Sequence, residues 1–201
     1  VTDDRFAPAG VLAPKQYHDL AFTMHAASWL ATNGVAVLVQ FPGTLYRGAA
    51  EAKVRQYLVT NNLVDAVIQL PPDWGYGVTV AGVIVMLRKA KRDSAVLLVD
   101  ASKLFKRVGN KNELLEEHQR TILEAVSARE NVEHFARLVP NEDIALEHFD
   151  LSVSRYVSPV DERIAVDIRA LNADIAQIVR RQSELRSGID AIVADLEGEA
   201  S

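Results

Sequence analysis

Apolar and polar positions recur along this chain with two different periods. From Gln16 to about Thr32, Leu20, Ala21, Met24, Ala27 and Trp29–Leu30 return at helical spacing, and Asn33-Gly34 is a common helix stop. "VAVLVQF" (Val35–Phe41) is β-branched and apolar throughout, as expected of a strand covered on both faces. A helix is expected from about Gly48 to Asn61, with Ala52, Val54, Tyr57 and Leu58 inward and Glu51, Lys53 and Arg55 outward. "VDAVIQL" (Val64–Leu70) and "GVIVMLRK" (Gly82–Lys89) read as two further strands. The loop between them is too short for a helical crossover, so they are expected to pair antiparallel. "SAVLLVDAS" (Ser94–Ser102) reads as another buried strand. The order helix, strand, helix, strand, strand, strand is that of the closing half of a doubly wound α/β sheet ending in an antiparallel hairpin. The opening βαβ unit of such a sheet has no counterpart here.

Beyond Asn110 the pattern turns polar and helical. One helix is expected over about Asn112–Glu130, and Asn141–Pro159 reads as a short helix and an extended segment. A long amphipathic helix follows from about Asp161 to Glu197. Its inward row is Ile164, Ile168, Leu171, Ile175, Ile178, Leu185, Ile189, Ile192 and Leu196, with Gln182 in the one gap. Steps of four and three alternate, and a seven-residue repeat sustained in this way is a coiled-coil seam. The chain thus divides into residues 1–110, a connection over 111–160, and a helical tail over 161–201.

Composition narrows the chemistry. The 201 residues, 49% hydrophobic and 24% charged, suffice for one sizeable core and a helical appendage. There are no cysteines, which excludes thiol catalysis, zinc–thiolate sites and disulfides, and fits a reducing cytoplasm. No run approaches the ~18 apolar residues of a membrane span. The first residues form no signal-peptide pattern and lack an initiator Met, so the chain reads as a fragment of something longer. The net charge of −5 does not point to nucleic acid by itself, although a partner subunit could supply a basic face. The five histidines are scattered without ligand spacing, so no metal is expected. No Gly-x-Ser-x-Gly elbow occurs.

The most informative stretch is Leu70-Pro71-Pro72-Asp73-Trp74. Enzymes that methylate an exocyclic amine of a base use a polar residue, two prolines and an aromatic. The polar residue accepts hydrogen bonds from the amine, the prolines make a rigid turn, and the aromatic stacks on the extruded base. Here the first position is leucine, which cannot accept a hydrogen bond, and Asp73 lies on the wrong side of the turn. No catalytic residue is therefore expected in this chain. Trp74 and Tyr76 keep two readings. An aromatic at the carboxyl edge of a sheet can hold a base face-on for about 1–3 kcal/mol, or it can plug the end of the core.

Gly75-Tyr76-Gly77 and Gly43…Gly48 lack the phosphate-loop spacings. The helix start at Gly48, beside Arg47, has free amides that can receive one phosphate, the alternative being a structural turn. Arg88-Lys89-Lys91-Arg92 and Lys103-Lys106-Arg107-Lys111 are either DNA backbone contacts or solvated loop charge.

Taken together, "DDRFAPAGVLAPKQYHDLAF", "FPGTLYRGAAEAKVRQYLVTNNLVDAVIQLPPDWGYG", "VDASKLFKRVGNKNELLEEH", "DLSVSRYV" and "LNADIAQIVRRQSELRSGIDAIVADLEG" resemble the modification (methyltransferase) subunit of type I restriction-modification systems. The similarity runs nearly end to end and covers that subunit's C-terminal half. It implies adenine-N6 methylation of DNA with S-adenosylmethionine. It also implies assembly with a specificity subunit, a second modification subunit and a motor-nuclease restriction subunit. By this resemblance residues 1–110 are the end of a Rossmann-like methyltransferase sheet, and residues 161–201 are the helix that docks the specificity subunit. The family's donor-binding F-x-G-x-G and catalytic N-P-P-F lie upstream of the block beginning at Asp3, and neither occurs here, so this chain alone is expected to be inactive. Related subunits carry an aromatic where Gly75 stands, which passes the base-backing role to Tyr76 or Trp74. Two other readings stay open: a non-catalytic assembly module, and a degenerate, truncated subunit.

Overall fold

Four expected strands and one that the sequence pattern hid form a five-stranded sheet. The structure is a computed structural model that describes residues 3–75, 79–160 and 168–199. Helix α1 (Asp19–Trp29) leads into β1 (Val35–Gln40), and α2 (Ala49–Thr60) into β2 (Val64–Gln69). Strands β3 (Val83–Arg88) and β4 (Ala95–Asp100) follow, then a small hairpin of β5 (Lys106–Val108) and β6 (Lys111–Glu113). Helix α3 (Glu116–Ala128), strand β7 (Ala136–Pro140) and the short helices α4 (Asn141–Leu146) and α5 (Val153–Tyr156) complete a first compact unit, Val1–Val160. The second unit, Asp161–Ser201, contains α6 (Ile168–Glu199).

The sheet order is β1-β3-β2-β4-β7. β3 runs antiparallel to both β1 and β2, β2 runs parallel to β4, and β7 is antiparallel to β4. β2 and β3 pair antiparallel as expected, with Val67 opposite Val85, although the pairing inserts β3 between β1 and β2. β2 and β4 are buried along almost their whole length, which explains their largely apolar sequences, Asp65 of β2 being the buried exception.

Two clusters cover the two faces. On one, Leu20 and Met24 of α1, Val54 and Leu58 of α2, and Ile144 of α4 pack on Val67, Val85 and Leu98. On the other, Ile122 and Ala125 of α3 pack on Ala66, Ile68, Leu97 and Val99. The result is a three-layer α/β arrangement.

Several expectations need correction. α1 ends at Trp29, whose ring is 78% exposed instead of inward, and Asn33-Gly34 lies in the turn beyond it. β1 is not covered on both faces: Val35, Val37 and Val39 are exposed, because on that face the α3 cluster lies over β2 and β4 and includes no residue of β1. Glu51 and Arg55, expected to face outward, are each 2% exposed. Arg55 Nε donates to Phe149 O at 2.9 Å and Nη1 to Thr44 O at 3.0 Å, so the charge is buried among carbonyls. The helix expected from Asn112 begins at Glu116, and Asn112 lies in β6.

Candidate functional site

β1, β2 and β4 run in one direction, so their carboxyl ends share one edge of the sheet, where α/β proteins place ligands. β2 delivers Leu70 there, and the Pro71-Pro72 turn follows. Leu70 is 3% exposed and its amide donates to Gly82 O at 2.9 Å, while Ala101 N closes on Gln69 O at 3.0 Å. The aliphatic side chain is thus core, with no acceptor offered to an amine. Asp73 takes a left-handed conformation (φ 52°) that turns the chain after the prolines.

Trp74 comes next. Its indole lies against Gly82, where a Cβ would stand 2.9 Å from Nε1 and 3.2 Å from two ring carbons. The missing side chain at residue 82 makes room for the ring. Trp74 Nε1 is buried and has no hydrogen-bond partner among the described residues. Tyr76 lies outside the described residues.

The hairpin β5–β6 closes over this loop. Asn112, 3% exposed, donates its amide to Asp73 O at 3.1 Å and Nδ2 to Pro72 O at 2.7 Å. Arg107 Nη1 lies 3.0 Å from Asn112 Oδ1 and 3.3 Å from the Asp73 carboxylate. Lys111 Nζ donates to Gly75 O at 3.1 Å. Part of the second basic cluster is therefore attached to the Pro-Pro loop. Sequence reasoning missed Asn112 because polar composition pointed to a helix. The available signal was Gly109-Asn110, a two-residue hairpin loop whose glycine has the positive φ (59°) a type II′ turn needs at its first central position.

Arg47 and Gly48 sit at the start of α2. The Arg47 guanidinium stacks 3.8 Å from the Tyr17 ring centroid, lies against Gly43, and pairs with Glu51 at 3.5 Å. Gly48 caps the helix and the next residue, Ala49, has φ 55°. Glu51, in the first turn, places a carboxyl where a bound anion would complement the helix dipole. Burial pushes the Glu51 carboxyl up from its ordinary value, against the opposing pull of Arg47 and Arg55.

The other basic cluster occupies the opposite edge, where β2 and β4 begin. Asp65 Oδ2 pairs with Arg88 at 2.9 Å and Oδ1 with Arg129 at 2.7 Å. Arg129 also holds Asp93 at 3.0 Å. Lys91 Nζ donates to Asn62 Oδ1, Val64 O and Ala95 O at 2.8, 2.7 and 2.6 Å. Burial, then the charge of Arg129, lowers the Lys91 amine to about 8.

In α6, Ile168, Leu171, Ile175, Ile178, Leu185, Ile189 and Ile192 are all exposed and form one stripe along the helix. Ile164 lies outside the described residues. No helix among the described residues is long and apolar enough to cross a membrane, and no cluster of metal-ligating side chains occurs among them.

Comparison with known proteins places this geometry. The sequence profile of N-6 DNA methylases matches residues 1–164. The chain is 37% identical over 197 residues to the type I restriction enzyme MpnII methylase subunit of Mycoplasma pneumoniae, covering 98% of this chain and 36% of that one. It is 31% identical over 195 residues to the MjaVII methylase subunit of Methanocaldococcus jannaschii, covering 94% and 33%. The crystal structure of a type I restriction-modification system methyltransferase subunit from Streptococcus thermophilus superposes with a TM-score of 0.76 at 35% identity, over 78% of this chain and 34% of that one. The chain therefore spans about a third of the length of these relatives. With an α/β sheet of the methyltransferase type and a profile match across four-fifths of its length, the chain belongs to the N-6 DNA methylase family.

Proposed function

We propose that this chain is the carboxyl-terminal part of a type I DNA methyltransferase subunit that methylates adenine at N6. The observation that carries this reading is the bare side of the sheet at β1. Val35, Val37 and Val39 are 43%, 59% and 55% exposed on an edge strand. On the same face, their β3 partners Met86 and Ile84 are only partly buried. A doubly wound sheet keeps such an apolar row under a helix and beside another strand. An upstream βαβ unit of the same protein supplies both, and the one-third coverage of the relatives supports its existence.

In this reading the chain contributes the later strands, the base-side loop and the assembly helix. S-adenosylmethionine supplies the methyl group, and polypeptide carrying F-x-G-x-G and N-P-P-F holds it. The Pro-Pro turn of this chain does not replace that motif, since the residue ahead of it, Leu70, is buried and offers an amine no acceptor. The work of the chain is to back the extruded adenine with a loop aromatic and to exclude water around it. Of the two candidates the reading falls on Tyr76, because the Trp74 indole is already packed on Gly82. An exposed Arg47–Gly48 phosphate contact loses support, since Tyr17 and Glu51 engage that arginine. The Ile168–Ile192 stripe of α6 docks a specificity subunit, and a second modification subunit and a motor-nuclease subunit complete the assembly.

The test is reconstitution. The purified 201-residue chain is expected to give no calorimetric signal with S-adenosylmethionine. Joined to the upstream part of its reading frame and assembled with a specificity subunit, it is expected to methylate adenine in duplex DNA. Ile175→Glu with Ile178→Glu is expected to abolish assembly while donor binding in the full-length subunit persists. Micromolar donor affinity or methyl transfer by the chain alone overturns the reading.

A further inference from the structure

We infer that the β5–β6 hairpin is the positioning device of the Pro-Pro loop, and that Asn112 is its positioning residue. The inference rests on the reading above, in which this loop presents an aromatic to the target base.

The hairpin is built unlike a core element. All three residues of β5 are exposed, and the buried side chain of β6 is an asparagine. Its feet are apolar: Leu104 and Leu114, on either side, pack against the cluster under α3. A rigid base therefore carries a polar arm. That arm reaches the loop at consecutive points, with Asn112 on Pro72 and Asp73, Arg107 on the Asp73 carboxylate, and Lys111 on Gly75.

The same asparagine uses its amide N–H, its Nδ2 and its Oδ1 at once, the last accepting from Arg107. A buried side chain with each of these groups engaged holds one rotamer and one position. The loop cannot supply this order itself. Its prolines stiffen only the first turn, Asp73 is held at φ 52°, and the Trp74 indole N–H has no partner among the described residues. The residue after Gly75 is Tyr76, so the grip ends one position before the aromatic it must aim.

The chemistry needs that aim. A base that has left its stack is held by a face-on ring, and misplacement by about 1 Å can cost on the order of 100-fold in rate. Asn112 thus acts through the loop and does not touch the reacting atoms.

The experiment uses Asn112→Ala and, because that residue is buried, Arg107→Ala at a half-exposed position. In the 201-residue chain carrying Trp29→Phe, Trp74 is the remaining tryptophan. Both variants are expected to shift its emission to the red and to raise acrylamide quenching, with far-ultraviolet circular dichroism unchanged. In the full-length subunit assembled on duplex DNA with 2-aminopurine at the target adenine, both are expected to reduce the flipped-base signal. They are also expected to lower kcat roughly tenfold or more while leaving donor affinity as it was. A merely structural role would move the melting temperature and leave the flipped-base signal of the folded fraction intact. Unaltered kcat and 2-aminopurine signal in both variants, in an assembly whose wild type methylates, overturn this inference alone. An inactive wild-type assembly instead overturns the functional reading on which it rests.

Discussion

The two edges of the sheet are both fastened by charged and amide side chains, yet they are built in opposite ways. At the amino edge, Asp65, Arg88, Arg129 and Asp93 pair with one another, and Lys91 reaches three acceptors. Every one of these groups faces another part of the same network. At the carboxyl edge the polar groups of the hairpin grip loop carbonyls instead, Trp74 Nε1 is buried without a partner among the described residues, and Phe41 and Tyr46 are exposed. A closed network serves stability. An edge that fixes backbone while leaving rings at the surface agrees with the base-facing role proposed for its loop.

The sharpest way to break this contrast is Asp65→Ala. It removes the carboxylate between two guanidinium groups at a site 4% exposed. Losing one partner of a buried pair costs roughly 3–5 kcal/mol. The lower end applies here, because the Arg88 side chain is 38% exposed and can turn to water, and Arg129 keeps Asp93. Urea denaturation is expected to show a loss of about 3 kcal/mol, with Trp74 emission in the folded state unchanged. A shifted Trp74 spectrum would mean the two edges are coupled.

Gly82→Ala probes the other edge with a smaller expected effect. The new Cβ falls 2.9 Å from the Trp74 indole nitrogen, so the ring must move. Overpacking costs about 1–3 kcal/mol in a closed core. A loop residue can yield, so about 1 kcal/mol is expected, together with a red-shifted Trp74 emission. An unmoved spectrum would show that the ring does not rest on Gly82.

The sequence was legible where period and composition agree. β2, β3 and β4 are largely apolar runs, and α2 lies between Gly48 and Asn61 as its spacing required. It was illegible where partners come from far along the chain. Arg55 is buried because Phe149 O, 94 residues away, accepts from it, and no local pattern encodes that contact. β7 carries Arg137 and ends in Pro140, so its sequence reads as a connection, although it pairs with β4 along five residues. The buried place of Leu70 was readable at once, because it follows from one aliphatic side chain at the end of an apolar strand. Asn112 was not, since its importance comes from the carbonyls of Pro72 and Asp73, which meet it only in the fold.

The smallest expected effect separates the two edges by pH. The Lys91 amine titrates at about 8 in the folded chain against an ordinary value of 10.5, through burial first and then the charge of Arg129, with Asp65 and Asp93 opposing. A folded-state value below the unfolded one means that folding favours the neutral amine. The associated stability is complete above 10.5 and is lost as pH falls through about 8. Between pH 7 and 9.5 the wild-type urea midpoint should therefore rise relative to that of Lys91→Gln. Part of the side chain meets water, which screens the effect to no more than about 1 kcal/mol. The Trp74 spectrum should stay constant across the same range, since Lys91 and its partners lie at the far edge of the sheet. A midpoint that falls with rising pH in the wild type alone would show that the charged amine, held by its three acceptors, is the form the fold prefers.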